Sequence, residues 1–297
     1  MIVHLIDGTY ELFRHFYGIR RMKKGDPPFG AVRGVLQMVL QMIETGATHI
    51  GVATDHVIES FRNELWDGYK TGAGIDAALW AQFHPLEEAL TAMGVVVWPM
   101  VDLEADDALA SAAALAAANP AVEKVCIWTP DKDLAQCVVA GRVVQVDRKS
   151  GKVRDVDGVR EKFGVAPKSI PDYLALVGDA ADGYPGLAGF GAKSAAAVLA
   201  RFEHIEAIPA NGDEWRANVA GSGRLAATLR EQRELALLFR TLATLRDDAE
   251  LFDDVDALRW RGPTKYFAAY AQRMGALDLV ERATRTATRQ SDPSARP

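Results

Sequence analysis

The sequence predicts an α/β fold: a mainly parallel sheet flanked by helices on both faces, followed by a helical region. Three observations lead there. Short apolar runs alternate with amphipathic stretches from Ile2 to Val146, the pattern of strands joined by crossover helices. Acids stand just past the ends of several of these runs. From Ser169 onward the strand-like runs stop and only helical periodicity continues.

In chain order, residues 2–6 (Ile-Val-His-Leu-Ile) read as a buried strand ending at Asp7-Gly8. Phe29 to Ile43 is helical, because Val32, Val35, Leu36, Val39, Leu40 and Ile43 share one face, and Gly46 ends it. His49 to Thr54 is a second strand, closed by Asp55. Ser60 to Lys70 and a breaker-rich Thr71-Gly-Ala-Gly lead to a helix from about Asp76 to Met93. Val95–Trp98 is a third strand, and an alanine-rich helix runs to about Ala118. Val125-Cys-Ile-Trp is a fourth strand, followed by Thr129-Pro-Asp-Lys-Asp, and Arg142–Val146 a fifth. Helical segments cover Pro171–Val177, Leu225–Leu245 and Tyr266–Arg282. The organisation predicted is an α/β unit over 1–168, a helical region over 169–283 and a disordered Thr/Arg/Ser/Pro-rich tail over 284–297.

The 297 residues, 49% hydrophobic and 25% charged, suit a globular protein with a sizeable core. Cys126 and Cys137 form no CxxC motif and read as reduced thiols. The amino terminus lacks a basic segment before its short apolar run, and no window reaches a membrane span. A cytoplasmic protein without a membrane partner is expected. The net charge of −6 argues against a nucleic-acid partner, unless the acids surround cations whose charge must be counted with them.

Chemistry concentrates in the acids. Asp102, Glu104, Asp106 and Asp107 fall within six residues. They read in two ways: a helix start with Asp102 as N-cap and acids in the first turn, or one wall of a divalent-metal site. Asp7, Asp55 and Asp131 each follow a strand, and parallel sheets gather functional groups beyond the carboxyl ends of their strands. With Asp133, Asp179 and Asp182 the set exceeds what one ion needs and suits two or more Mg²⁺ or Mn²⁺ ions. No His joins it, which disfavours zinc. A second constellation, Gly186-Leu-Ala-Gly189-Phe-Gly191-Ala-Lys193-Ser194, reads as a helix–helix turn or as a hairpin whose N–H groups approach a phosphate. A third is Phe61-Arg62-Asn-Glu-Leu-Trp-Asp-Gly-Tyr69-Lys70, a solvated amphipathic stretch or one in which Arg62 and Lys70 bind phosphate and Tyr69 stacks on a base. Asp7-Gly8-Thr9 resembles half of an Asp-x-Asp-Gly-Thr phosphatase motif, but position 5 is leucine, so that nucleophile is absent.

Taken in order, these motifs resemble the bacterial 5'-3' exonuclease family: the 5'-nuclease domain joined to DNA polymerase I, its stand-alone relatives and, more distantly, the flap endonucleases. The matching pieces are Leu-Ile-Asp7-Gly, Asp55 with Ser-Phe-Arg-Asn-Glu-Leu, Tyr69-Lys70, Glu104-Ala-Asp-Asp, Thr129-x-Asp-Lys-Asp, and Gly178-Asp-x-x-Asp-x-x-Pro-Gly followed by Gly-x-Gly-x-Lys-Ser-Ala. The resemblance implies a PIN-like catalytic domain and a helix-three-turn-helix DNA-binding module. It also implies hydrolysis of DNA at 5' ends, 5' flaps or single-strand/duplex junctions by a two-metal-ion mechanism, in a protein expected to be a monomer. It places Asp7, Asp55, Glu104 and Asp106 at the first metal site, with Asp107 beside it, and Asp131, Asp133, Asp179 and Asp182 at the second. It gives Lys70 the scissile phosphate, names Asp7, Asp106 and Asp131 with it as catalytic, and assigns DNA contact to Arg62, Tyr69, Lys70, Gly189, Gly191, Lys193 and Ser194, with K⁺ at the Gly-x-Gly hairpin. Three positions depart from the family pattern: Ala73 replaces an arch arginine, Pro130 a glycine and Gly183 an asparagine. The alternatives are a catalytically weak structure-specific DNA-binding protein of the same fold, motivated by Ala73 and Pro130, and an RNA-directed relative.

Overall fold

The structure, a computed structural model, describes residues 1–22, 27–215 and 219–291. Among the described residues six strands form one sheet: β1 (Ile2–Asp7), β2 (His49–Asp55), β3 (Val96–Met100), β4 (Lys124–Trp128), β5 (Val143–Asp147) and β6 (Lys152–Arg154). Their order is β3-β2-β1-β4-β5-β6. Every pairing is parallel except that of β5 with β6. The order reverses between β1 and β4, which makes that crevice the topological switch point where such sheets place their sites. Asp7 and the Asp131 loop flank it.

Helices α1 (Gly8–Met22), α2 (Gly30–Glu44), α3 (Arg62–Leu65), α4 (Ala77–Trp80), α5 (Phe83–Ala92) and α6 (Ala105–Ala118) connect the first four strands. Alternation along β1 and β2 serves both faces. Ile6, Ile50 and Val52 enter a core with α1, α2 and α5. Val3, Leu5 and Ala53 enter a second core with Ala108, Leu109, Ala112 and Ala116 of α6, whose small side chains let that helix lie close to the sheet. The predicted helix from Asp76 to Met93 is two helices. Pro85 stands in the first turn of α5, where its ring would clash with the carbonyl four residues earlier if the helix ran through.

The helical region comprises α7 (Val156–Phe163), α8 (Ile170–Val177), α9 (Ala192–Phe202), α10 (Ser222–Glu231) and α11 (Arg233–Ala243). A third core, with Leu174, Tyr184, Trp215 and Phe239 among its members, holds it together. Tyr69 is buried in the same core, so the segment carrying Lys70 is anchored in the helical region.

Two boundaries differ from the sequence reading. Residues 284–291 are not a disordered tail: they continue α13 (Asp278–Ser291), which follows α12 (Phe267–Arg273). Leu279 and Ala283 of α13 are buried in the α1–α2–α5 core, and apolar burial at that spacing makes the polar-looking stretch helical. Residues 292–297 lie outside the described residues. The carboxy-terminal part of the predicted helical region also leaves it, since Val255 and Leu258 pack with α6 and Phe267 and Met274 with α2 and α5. No described helix is long and apolar enough to cross a membrane. Both cysteines are free.

Candidate metal centre

Parallel pairing delivers the acids of four strands to one edge. Asp7 ends β1 and Asp55 ends β2. Glu104 is the N-cap of α6 after β3, and Asp131 and Asp133 follow β4. Asp7 Oδ1 accepts the N–H of Tyr10 at 2.8 Å and Oδ2 the hydroxyl of Thr129 at 3.0 Å. Burial pushes Asp7 up to about 7; the Tyr10 N–H opposes the rise and the charges of Asp55 and Asp131 add to it. Asp55 accepts the N–H of Ala105 at 2.8 Å, tying β2 to the start of α6, and its own N–H donates to Thr9 Oγ1 at 2.8 Å. Burial also raises Asp55, with Lys70 opposing. Asp106, in the first turn of α6, is raised well above the carboxylate range by burial and then by Asp131 and Asp7. Mutual repulsion of this kind marks a cluster short of positive charge.

The second group joins Asp133, which follows β4, to two acids of the helical region. Asp133, Asp179 and Asp182 each offer a carboxylate oxygen within 4.8 Å of the others. The loop that carries Asp179 and Asp182 is pinched shut. Asp179 and Tyr184 exchange backbone hydrogen bonds of 2.8 and 3.0 Å, and Gly178 and Gly186 meet backbone to backbone, both at positive φ, where a Cβ on either would lie within 2.6 Å of main-chain atoms. Gly183 has a φ of 84° and lies against Gly68, whose carbonyl oxygen a Cβ would approach to 2.0 Å. The close approach accounts for glycine at that departure.

Lys70 joins the two groups. Its Nζ lies 2.7 Å from Glu104 Oε2 and 3.1 Å from Asp182 Oδ1, and its N–H donates to the Asp182 carbonyl at 3.0 Å. Burial disfavours the ammonium, but Glu104 and Asp182 outweigh it and hold Lys70 well above its ordinary value. Burial likewise opposes ionisation of Glu104, yet Lys70 and Arg62 keep it below its ordinary value.

Three predicted roles and a predicted cap are corrected. Asp107 is fully buried, and each of its oxygens already accepts two hydrogen bonds. Oδ1 takes Arg62 Nη2 at 2.7 Å and the Arg246 N–H at 2.8 Å; Oδ2 takes Arg62 Nη1 at 2.7 Å and the Glu104 N–H at 3.0 Å. No lone pair remains for an ion. Arg62, 1% exposed, is no DNA contact. Its guanidinium also reaches Glu104 at 3.1 Å and the carbonyls of Leu242 and Thr244 at 2.8 and 3.1 Å. Tyr69, 4% exposed, has its hydroxyl 3.3 Å from Glu104 and cannot stack on a base. Asp102 does not cap α6; Glu104 does, in a capping box with Asp107.

The hairpin residues stand apart from the acids, in the turn between α8 and α9. Gly189 has a φ of 88°, Gly191 is the N-cap of α9, and Ser194 Oγ accepts the Gly191 N–H at 3.0 Å. Lys193 is exposed. Sequence reasoning overlooked Ser60, whose hydroxyl donates to Glu104 at 2.6 Å, and Lys132, 2.5 Å from Asp179. Lys132 had a signal, standing between the two acids of Asp-Lys-Asp.

The residues fit divalent cations. The donor set is all oxygen, and Asp133 Oδ1 is buried without a hydrogen-bond partner, a costly arrangement that a cation would relieve.

A profile described as the 5'-3' exonuclease N-terminal resolvase-like domain matches residues 2–164, and one described as the 5'-3' exonuclease C-terminal SAM fold matches residues 165–266. The chain is 37% identical to DNA polymerase I of Pseudomonas aeruginosa over 86% of its length and 28% of that protein's. It spans between 25% and 33% of the first three DNA polymerase I relatives. It is 32% identical to flap endonuclease Xni of Edwardsiella ictaluri over 88% of this chain and 99% of that one. The structure of T5 5'-exonuclease with bound zinc shares the fold at a TM-score of 0.65 and 18% identity, covering 98% of this chain and 100% of that one.

Proposed function

The chain belongs to the 5'-3' exonuclease family, and from that premise we propose that it hydrolyses DNA phosphodiester bonds at 5' ends or 5' flaps with two or more divalent ions. The observation that carries this reading is the convergence of acids from four strand ends and the Asp179–Asp182 loop around Lys70. Asp7, Asp55 and Asp106 would hold one ion, joined by Glu104 when Lys70 leaves its Oε2 for the phosphate, and Asp131, Asp133, Asp179 and Asp182 another. Oxygen-only donors favour Mg²⁺ or Mn²⁺. When bound, such ions supply positive charge to the phosphate and make a water acidic enough to act as nucleophile at neutral pH.

The chain's own residues supply the remainder. Lys70 keeps its proton beside Glu104 and Asp182, so it can place a charge on the scissile phosphate and stabilise the charge that develops there. The first turn of α9, which starts at Ala192 and carries the exposed Lys193, offers backbone N–H groups to a duplex phosphate, with K⁺ as a further ligand of the Gly189-Phe-Gly191 turn. A monomer acting in the cytoplasm in DNA repair or replication belongs to the same reading.

The test is Asp131→Asn with a labelled 5'-flap DNA. Binding should stay within a few-fold of the parent while cleavage in Mg²⁺ or Mn²⁺ is abolished. Undiminished cleavage would sink the two-metal assignment.

A further inference from the structure

Beside the Asp133–Asp179–Asp182 group a second buried polar atom lacks a hydrogen-bond partner among the described residues. The first is Asp133 Oδ1; the other is the hydroxyl of Tyr184. Tyr184 is 1% exposed and stands two residues after Asp182. A buried hydroxyl without a partner gives up its hydration and gains no bond in exchange. Phenylalanine would fill the same ring space without that cost, so the oxygen calls for a ligand.

The ring cannot turn out to solvent. Its backbone is tied to Asp179 by bonds of 2.8 and 3.0 Å. Its face stacks on Phe239 of α11 at 5.5 Å. Phe239 is itself fully buried and meets Trp66 edge-on at 5.2 Å, and Trp66 Nε1 donates to the carbonyl of the preceding Gly183 at 3.1 Å. Burial pushes the Tyr184 hydroxyl up, and Asp133, Asp179 and Asp182 add to the rise in that order, so it keeps its proton and has these acids as its charged neighbours.

Charge within the group is uneven. Lys70 pairs with Asp182 and Lys132 with Asp179; among the described residues Asp133 alone of the three has no ion-pair partner. Burial, and then Asp131, Asp182 and Asp179, raise Asp133 well above the carboxylate range. A hard divalent cation there would take carboxylate oxygens and fill its other positions with water. Water on a cation is a hydrogen-bond donor that needs acceptors. A phenol oxygen accepts one such bond while its own O–H donates to a carboxylate, so one hydrated ion satisfies both unpartnered atoms.

We propose that Tyr184 is a positioning residue of the second metal: Asp133 Oδ1 binds the cation, and the Tyr184 hydroxyl holds one of the cation's waters. The carboxylates supply the charge; the phenol, neutral and fixed by its stack, supplies direction. This inference rests on the divalent-ion reading of the acidic group.

The test counts bound Mn²⁺ by electron paramagnetic resonance in parent protein, Tyr184→Phe, Asp133→Asn and the double variant, with thermal midpoints in EDTA alongside. Tyr184→Phe should weaken one Mn²⁺ site about tenfold, while its EDTA midpoint equals or exceeds that of the parent. Placed on Asp133→Asn, it should change Mn²⁺ affinity little further; placed on Asp7→Asn, it should still cost about tenfold. Parent-like Mn²⁺ affinity in Tyr184→Phe overturns the proposal, and a lowered EDTA midpoint with that result marks the hydroxyl as a bond within the protein; cleavage of flap DNA by the parent would then leave the nuclease reading intact. If Tyr184→Phe weakens Mn²⁺ binding in the expected way but the parent cleaves no DNA with any divalent metal, the positioning role stands and the nuclease reading fails.

Discussion

The ammonium of Lys70 lies 2.7 Å from Glu104 and holds that carboxylate in its charged form although the side chain is almost fully buried. The same ammonium reaches Asp182 at 3.1 Å, so one cation of the protein stands between acids of the sheet edge and acids of the helical region. Lys70→Ala is therefore expected to leave flap binding within a few-fold and to slow single-turnover cleavage by about 10²- to 10³-fold, the usual cost of deleting one group aimed at developing charge. Quench-flow cleavage at saturating enzyme checks it. A rate within twofold of the parent would exclude a role for Lys70 at the phosphate.

Arg62 and Asp107 form a bidentate pair with side-chain exposures of 1% and 0%. Removing one partner leaves an uncompensated buried charge, which costs about 3–5 kcal/mol. Arg62→Ala and Asp107→Ala should each lower the urea midpoint strongly, and the double variant should cost far less than the sum, because the two act as one unit. Were Arg62 a DNA contact instead, stability would hold and the salt dependence of DNA binding would change.

How far the sequence foretold the site depends on what each residue needed. Asp7, Asp55 and Asp131 were legible because a parallel sheet sends every strand end to one edge, so position after a strand implies position at the site. Asp106 and Asp107 were not separable. Adjacent helical residues point about 100° apart, and nothing in the one-dimensional pattern tells which direction holds Arg62. Arg62 and Tyr69 were misread because a short amphipathic stretch does not reveal that a second domain covers its outer side. Helix α1 was passed over although Leu12 and Phe16 share a face, since its apolar stripe is interrupted by Arg14, His15 and Gly18. Strand β6 has three residues, two of them exposed, and carries no pattern at all.

The acids also fix how the metal-free protein responds to pH. Asp7 is pushed up to about 7, and Asp55, Asp106, Asp133 and Asp182 are raised as well, in each case chiefly by burial. A carboxyl whose folded value lies above its unfolded one binds more protons when folded, so stability falls as pH rises between the two values. For Asp7 that window runs from the ordinary carboxylate value near 3.8 to about 7. Thermal unfolding in EDTA should therefore show a higher midpoint at pH 5 than at pH 8. Mn²⁺ at pH 8 should restore the midpoint, because ligand binding to the folded state alone is stabilising. Asp133→Asn should raise the EDTA midpoint at pH 8 and blunt the response to Mn²⁺. A midpoint that rises with pH in EDTA would contradict the clustering of these carboxyls.

The carboxy-terminal helix gives the last prediction. A polar-looking segment contributes to stability only if its few apolar residues are buried, and in α13 they are. Leu279 and Ala283 are fully covered by the core shared with α2 and α5, and Arg282 closes the edge through hydrogen bonds of 3.0 and 2.7 Å to Glu44. Hydrogen bonding from Arg282, with its charge adding, holds Glu44 below its ordinary value against the effect of burial; that exposed pair is worth little by itself. The burial of Leu279 is the larger contribution, and Leu279→Ala should cost about 2–5 kcal/mol in urea unfolding. Arg282→Ala should cost less than about 1 kcal/mol. Cleavage by either variant, assayed well below its unfolding midpoint, should match the parent because α13 packs against α2 and α12. If residues 284–297 were a disordered tail, Ala287→Asp, in the part of α13 that packs against the same core, would leave the midpoint unchanged, so equilibrium unfolding of that one variant separates the two descriptions.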